Sequence, residues 1–327
     1  TPLYSSAASD VYKRQIHKLT LEQYLQHFGQ RHELPFLIIR LSNPYGPLVA
    51  ADNRTYGVLN RFIGRAVRGE PIRLFGDGSQ RRDYIYIDDV VESFIRGALT
   101  PGCRNQILNL GGPASIAMRD AVNVLIEECP GSKVIHEDWP ADYFAVETGD
   151  YASDVGKLER LTGRRPEIGF REGIRRTLAA YRARDEGEKR TNPVSGLTPV
   201  AVGQAIPAGT ISEGGAWNWA GKRVLVTGAS GFIGHQLMRQ LLALGAIVGA
   251  VHRRPLSVPD GMEDRIVAIQ ADLDEPGAIS PKLGDFAPEV IYHLAGRPDG
   301  AETPGHAEAC LRTNVLPTVS LLELARN

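Results

Sequence analysis

Val224-Leu-Val-Thr-Gly-Ala-Ser-Gly-Phe-Ile-Gly234 is an apolar run that enters three glycines spaced three apart. Gly221 to Val226 reads as a turn and then a buried strand, and Phe232 to Leu244 as a helix with apolar positions at helical spacing. The glycines therefore stand at a strand-to-helix turn. Only glycine lets a backbone turn this tightly and come close to a phosphate under a helix N-terminus, where orphan N–H groups and the helix dipole favour an anion. The spacing G-x-x-G-x-x-G is read as a pyrophosphate cradle made by Gly228, Ser230, Gly231, Phe232, Ile233 and Gly234.

Downstream of the cradle, Ala246 to Val251, Ile266 to Gln270 and Val290 to Leu294 read as further strands, and Ala307 to Ala325 as a helix. Upstream lie a helix from Ile16 to about Arg31, a strand Phe36 to Leu41, a helix Val58 to Arg68, a strand pair at Ile72 to Phe75 and Tyr84 to Ile87, and a helix Val90 to Leu99. A strand Ile107 to Leu110, a helix Met118 to Glu128 and helices near Lys157 and Gly173 follow. Strands alternating with helices imply an α/β fold with a doubly wound parallel sheet. Residues 1–15 read poorly as protein and are expected to be a non-native segment; residues 185–220, rich in Gly, Pro, Ser, Thr and charge without periodicity, are expected to be a linker. That leaves 16–184 and 221–327, which share no internal repeat and complement each other.

Thirty-seven basic residues against thirty-eight acidic ones give a net charge of −1, so nothing draws the chain generally to nucleic acid or to a membrane surface. With 43% hydrophobic and 23% charged residues it reads as an ordinary globular protein, and no apolar run reaches membrane-spanning length. The three cysteines, Cys103, Cys129 and Cys310, fit a reducing cytoplasm, and the eight histidines show no metal-ligand spacing with them. The expected localisation is cytoplasmic, the expected metal is none, and a homodimer is compatible with the composition.

The glycine spacing and its strand and helix neighbours resemble the extended branch of the short-chain dehydrogenase/reductase superfamily, that of the NAD-dependent epimerases and dehydratases of nucleotide-sugars. The resemblance covers about Ile16 to Ala183 and Gly221 to Asn327, and implies a small α/β substrate-binding lobe beside a Rossmann sheet whose two halves stand in inverted order, by circular permutation or because the chain is cut from a tandem. It implies NAD or NADP as cofactor. Where an NAD enzyme usually places an acid after the second strand, the chain has His252-Arg253-Arg254, which leans towards the 2′-phosphate of NADP; a solvated basic loop would carry the same residues. Asp272 resembles the carboxylate that accepts from the adenine amino group, with Leu273 near the ring, although a helix N-cap would also place an aspartate there. Leu294, Ala295 and Gly296 match the small residues under the cofactor at the end of the fourth strand. His293 beside them is read as a structural hydrogen-bonder rather than a base, and Asn314 as the helix asparagine that supports the active site or as plain packing.

Lys18 matches the lysine of the family's Tyr-x-x-x-Lys, which holds the nicotinamide ribose and lowers the phenol's pKa. In that chemistry a tyrosinate removes a sugar hydroxyl proton while hydride moves to nicotinamide C4. The spacing calls for tyrosine at position 14, where Arg14 stands. Tyr12 presents another helix face and is a poor substitute, and Ser6, in a Ser-Ser pair too close to Lys18, is a weak match to the family serine. On the substrate side, Asn43 in Arg40-Leu-Ser-Asn-Pro-Tyr-Gly-Pro47 would lie near the diphosphate, or would simply make a turn; Arg82 would pair with the diphosphate, and Tyr84, Val58 and Leu59 would line the nucleotide-sugar cleft. Asp83 and Asp89 are read as an ion-pair partner and a helix cap. The rival reading is a catalytically inactive dinucleotide- or sugar-nucleotide-binding protein, favoured by Arg14.

Overall fold

Apolar strands and amphipathic helices alternate along the chain, largely where the periodicity predicts them. The computed structural model describes residues 6–47, 57–144, 147, 149–190, 218–253, 255, 256, 258, 261–273, 275, 283, 285–296, 308 and 311–326, the side chains of 6–15, 142, 143 and 184–190 excepted. In chain order the elements begin with α1 (Ser6–His32), β1 (Leu37–Leu41), β2 (Asn43–Tyr45), α2 (Val58–Val67), β3 (Ile72–Phe75), β4 (Arg81–Arg82), β5 (Tyr84–Tyr86) and α3 (Ile87–Leu99). They continue with β6 (Gln106–Leu110), β7 (Ile116–Ala117), α4 (Met118–Glu128), β8 (Val134–Glu137), α5 (Ala141–Phe144), α6 (Gly156–Thr162) and α7 (Phe170–Arg190). The last are β9 (Arg223–Thr227), α8 (Phe232–Ala243), β10 (Ile247–His252), β11 (Ile266–Gln270), β12 (Val290–His293) and α9 (Leu316–Arg326). Two compact units result, one from Thr1–Ile38, Ile95–Ile107 and Ala205–Asn327, the other from Ile39–Phe94 and Leu108–Gln204.

The first unit is built on a parallel sheet of order β11-β10-β9-β12, with Val224 of β9 in register with Val248 on one side and Val290 on the other. Val224, Leu225 and Val226 are all fully buried, the continuous apolar run of a strand covered on both faces. Leu237, Met238, Leu241 and Leu242 of α8 are buried as well. Leu225, Val251, Ile269, Leu283, Phe286 and Leu321 form one cluster, which places α9 against the sheet. Gly249 makes room for the Phe286 ring, which a Cβ there would approach to 2.8 Å. Helix α1 packs against α9 and the residues before it.

Two elements differ from expectation here. Helix α1 starts at Ser6, inside the segment expected to be non-native, because Ala7, Ala8, Lys13, Arg14 and Gln15 are sound helix formers. The helix expected from Ala307 is α-helical at Glu308, π-helical over Leu311–Val315 and α-helical again from Leu316. Pro317 accounts for this, since it donates no N–H and its ring crowds the carbonyl four residues back, widening the preceding turn.

In the second unit the expected pairing of Ile72–Phe75 with the Tyr84 strand does not form. Each finds a parallel partner elsewhere, β3 with β8 and β5 with β2, while β4 pairs antiparallel with β7. The apolar content of Tyr45, Tyr84, Tyr86 and Phe170 explains the choice, because the β2–β5 pair gathers these rings. The Tyr45 and Tyr86 centroids lie 5.6 Å apart, those of Tyr84 and Phe170 5.5 Å, and the Tyr45 hydroxyl donates to the Phe170 carbonyl at 3.1 Å. Helix α7 runs through Arg190, into the stretch expected to be linker; the rest of that stretch up to residue 217 lies outside the described residues. Strands β1 and β6 form a further two-stranded pair.

Candidate dinucleotide site

Strand β9 ends at Thr227, and α8 starts at Phe232 with Gly231 as its N-cap. Gly228 has φ 68°, left-handed space that suits glycine, and a Cβ there would stand 2.9 Å from the Ala295 nitrogen. At Gly234 a Cβ would overlap the Gly228 carbonyl oxygen, so this glycine lets the helix sit directly on the turn. Gly231 has ordinary extended dihedrals, and its N–H donates to the Gly228 carbonyl at 2.9 Å. The Ala229 N–H donates to Val251 at 3.1 Å and ties the turn to β10. The N-cap Gly231 has no side chain to cap α8, and among the described residues the first turn holds no acid, leaving that N-terminus suited to an anion. Strand order also reverses between β9 and β12, the place where open parallel sheets bind ligands. A turn stripped of Cβ atoms under an uncapped helix fits a dinucleotide pyrophosphate. Ser230 and Ile233 are half-buried in this turn, and Phe232 is buried.

Thr227, which the sequence reading passed over, holds the switch point together. Its fully buried hydroxyl accepts from the N–H groups of Leu294 and Ala295, each at 3.1 Å, and stands 2.7 Å from His293 Nδ1. With both lone pairs engaged, the hydroxyl proton points to Nδ1, which leaves the imidazole proton on Nε2. Desolvation pushes the His293 pKa down to about 4, so the ring is neutral and structural, in line with its sequence reading. A pH dependence follows. Between the unfolded value near 6.5 and the native value near 4, the unfolded chain binds a proton that the native state refuses, so stability falls as pH falls through this window. Urea unfolding should show a loss of order 3 kcal/mol between pH 7 and pH 4 that His293→Gln removes. An unchanged slope in the variant would assign the acid sensitivity elsewhere.

Leu294, Ala295 and Gly296 thus lie beneath the glycine turn, and a Cβ on Gly296 would come within 3.3 Å of Asn314 Oδ1. Arg253 follows β10, and its Nη1 lies 3.8 Å from Asp272 Oδ2, just past β11. Leu273 packs against the sheet core, and Arg254 lies outside the described residues.

On α1, Lys18 is exposed while His17 beside it is buried. The backbone of Ser6, Tyr12 and Arg14 belongs to the same helix, so Ser6 does not end a strand; their side chains lie outside the described residues. Arg14 and Lys18 are one turn apart on one face, whereas Tyr12 is rotated by about 120° from Lys18 at 3.6 residues per turn. His32, near the end of α1, has its pKa lowered by desolvation and then by the charge of Arg326 on α9.

The expected substrate residues all belong to the second unit, several of them with partners of their own. Asn43 and Tyr84 are register neighbours. Asn43 Nδ2 donates to Asp83 Oδ1 at 3.4 Å, and the buried Asp83 also accepts from the Ser153 N–H at 2.8 Å; among the described residues these hydrogen bonds, and no ion pair, engage Asp83. The Arg82 guanidinium pairs with Glu147 and donates to the Gly149 carbonyl. Tyr84 is buried in the core, its hydroxyl 3.4 Å from Met118 Sδ and its pKa raised by burial. Leu59 is also core, while Val58 is 39% exposed. Asp89 lies in the first turn of α3 but accepts from the Ile168 N–H at 2.9 Å, and burial lifts its pKa to about 6. Among the described residues no group of three or more His, Cys, Asp or Glu could hold a metal ion, and no helix is long and apolar enough to cross a membrane.

UDP-glucuronic acid decarboxylase 4 of Arabidopsis thaliana is 28% identical to the chain over 190 residues, 58% of this chain and 40% of that protein. UDP-N-acetyl-alpha-D-glucosaminuronate decarboxylase of Bacillus cytotoxicus is 29% identical over 166 residues, 50% of this chain and 51% of that protein. The crystal structure of UDP-glucose 4-epimerase with UDP-glucose from Thermotoga maritima gives a TM-score of 0.44 at 26% identity, covering 50% of each chain. The chain spans about half the length of the curated relatives it matches. The sequence model of the NAD dependent epimerase/dehydratase family matches residues 7–111 and 224–327, more than half of the chain, and the protein belongs to that family.

Proposed function

We propose that the chain is built to bind a nicotinamide dinucleotide at the Gly228 turn and to act on a nucleotide-sugar, as an epimerase or dehydratase by lineage, with catalysis weakened by Arg14. The single observation that carries this is the glycine turn at the switch point of a parallel sheet, with Gly228 and Gly234 each admitting no Cβ. Residues 7–38 and 95–107 of the first matched segment group with residues 205–327 in one compact unit, which supports reading the two matched segments as halves of one domain written in inverted order; residues 39–94 belong to the other unit. A nicotinamide dinucleotide held at the Gly228 turn would supply the hydride acceptor for the sugar carbon. Lys18 would hold the ribose hydroxyls and favour the ionised form of a phenol one turn before it. Arg14 supplies no such phenol and cannot give up a proton to act as a base. For the choice of cofactor, the triplet His252-Arg253-Arg254 argues for NADP and the Arg253–Asp272 pair against it. The same residue, Arg14, favours a second reading, a protein that binds the dinucleotide or sugar nucleotide without turning it over.

Titration of the purified chain with NADH and NADPH, followed by incubation with NAD and UDP-glucose or UDP-glucuronic acid under NMR, tests both readings. The expected result is saturable dinucleotide binding with trace conversion. Absence of binding would remove the site, and turnover at ordinary enzymatic rates would remove the role given to position 14.

A further inference from the structure

Strands β10 and β11 are parallel neighbours with His252 in register with Gln270, so the residues just beyond each strand emerge side by side at one end of the sheet. Arg253 directly follows β10 and Asp272 lies two residues past β11, their Nη1 and Oδ2 3.8 Å apart, with 61% and 39% of their side chains exposed. In sheets of this order the end of the strand next to the glycine turn's strand is where the adenosine ribose is held. An arginine there commonly accepts a 2′-phosphate, a group of about two negative charges. Here any anion seated on Arg253 also sits within a few ångströms of the Asp272 carboxylate, which engages the guanidinium and repels the phosphate. An uncharged 2′-hydroxyl meets no such repulsion and can donate to a carboxylate.

We infer that Asp272 is a specificity-determining residue that holds Arg253 and disfavours a 2′-phosphate, so the chain prefers NAD although its basic triplet reads as a signal for NADP. This rests on the dinucleotide reading of the Gly228 turn. Equilibrium dialysis of NADH and NADPH against the full chain and against Asp272→Asn, Arg253→Ala and the double variant tests it. Because any contact of Asp272 with adenine is common to the two cofactors, the ratio of their Kd values isolates the 2′-phosphate. In Asp272→Asn the ratio should move towards NADPH by about tenfold at low salt, the scale of one or two exposed charge interactions at such distances, and by less at high salt. Adding Arg253→Ala should abolish the gain. An unchanged ratio in Asp272→Asn, or a gain that survives loss of Arg253, overturns the inference while NADH binding leaves the site standing. If none of the four proteins binds either cofactor, the inference and the site reading fall together.

Discussion

Arg14→Tyr is expected to raise nucleotide-sugar turnover by about 10² to 10⁴-fold, the usual contribution of one positioned acid-base group. The reason is geometric. Helix α1 is continuous from Ser6 to His32, so residue 14 stacks one turn before Lys18 on the same face, and Lys18 is exposed. A phenol placed there lies beside an ammonium, which lowers its pKa from about 10 towards the working range. The rate should therefore climb with pH and level off below pH 10, a profile that improved folding alone would not give. Arg14→Phe supplies the ring without the hydroxyl and should stay at the starting rate, and Lys18→Ala in the Arg14→Tyr background should forfeit most of the gain. Equal rates for the tyrosine and phenylalanine variants would show that position 14 does not carry the proton, and Tyr12 would become the candidate despite its rotation on the helix.

What the sequence discloses divides along the range of the forces involved. The Gly228 turn is legible because its constraints are local, a positive φ at one residue and a close helix approach at another, within seven residues of chain. Strands β9 and β10 are legible because a strand covered on both faces must be apolar throughout. Contacts across long stretches are not. Arg82 carries a guanidinium whose fork fits phosphate and carboxylate alike, and nothing near it in sequence reveals that Glu147 and the Gly149 carbonyl engage it. Asp272 and Arg253 are each readable as cofactor ligands from their motifs, yet their mutual approach depends on strands that pair only in the fold.

Tyr84 shows a second kind of limit. Its motif places it in a nucleotide-sugar cleft, but its ring packs on Phe170, with Tyr45 edge-on. A tyrosine satisfies either setting, since the ring gains by burial and the hydroxyl needs only one weak partner, here Met118 Sδ. Thr227 was hidden for the opposite reason: a hydroxyl ahead of the first glycine looks incidental until β12 brings two N–H groups and a histidine to it.

Gly234→Ala should destabilise the first unit by about 3 kcal/mol or more and weaken NADH binding at least about tenfold. Helix propensity alone predicts the reverse sign, because alanine within a helix is favoured over glycine by about 1 kcal/mol. Packing decides the matter. The added Cβ would overlap the Gly228 carbonyl oxygen and lie 2.8 Å from its carbon and 3.0 Å from the Ala229 Cα, all backbone atoms that no rotamer change can move aside. Relief requires α8 to lift from the turn, which shifts the very N–H groups that would face the pyrophosphate and strips contacts from Leu237, Leu241 and Leu242. Gly231→Ala is the matched control, since φ −81° suits alanine and its Cβ would meet only the Gly228 oxygen at 3.1 Å. That variant should stay within about 1 kcal/mol of the parent in urea unfolding. If Gly234→Ala unfolds with Gly231→Ala and binds NADH as the parent does, the helix does not rest on the turn as closely as the structure has it, and the cradle loses its physical basis.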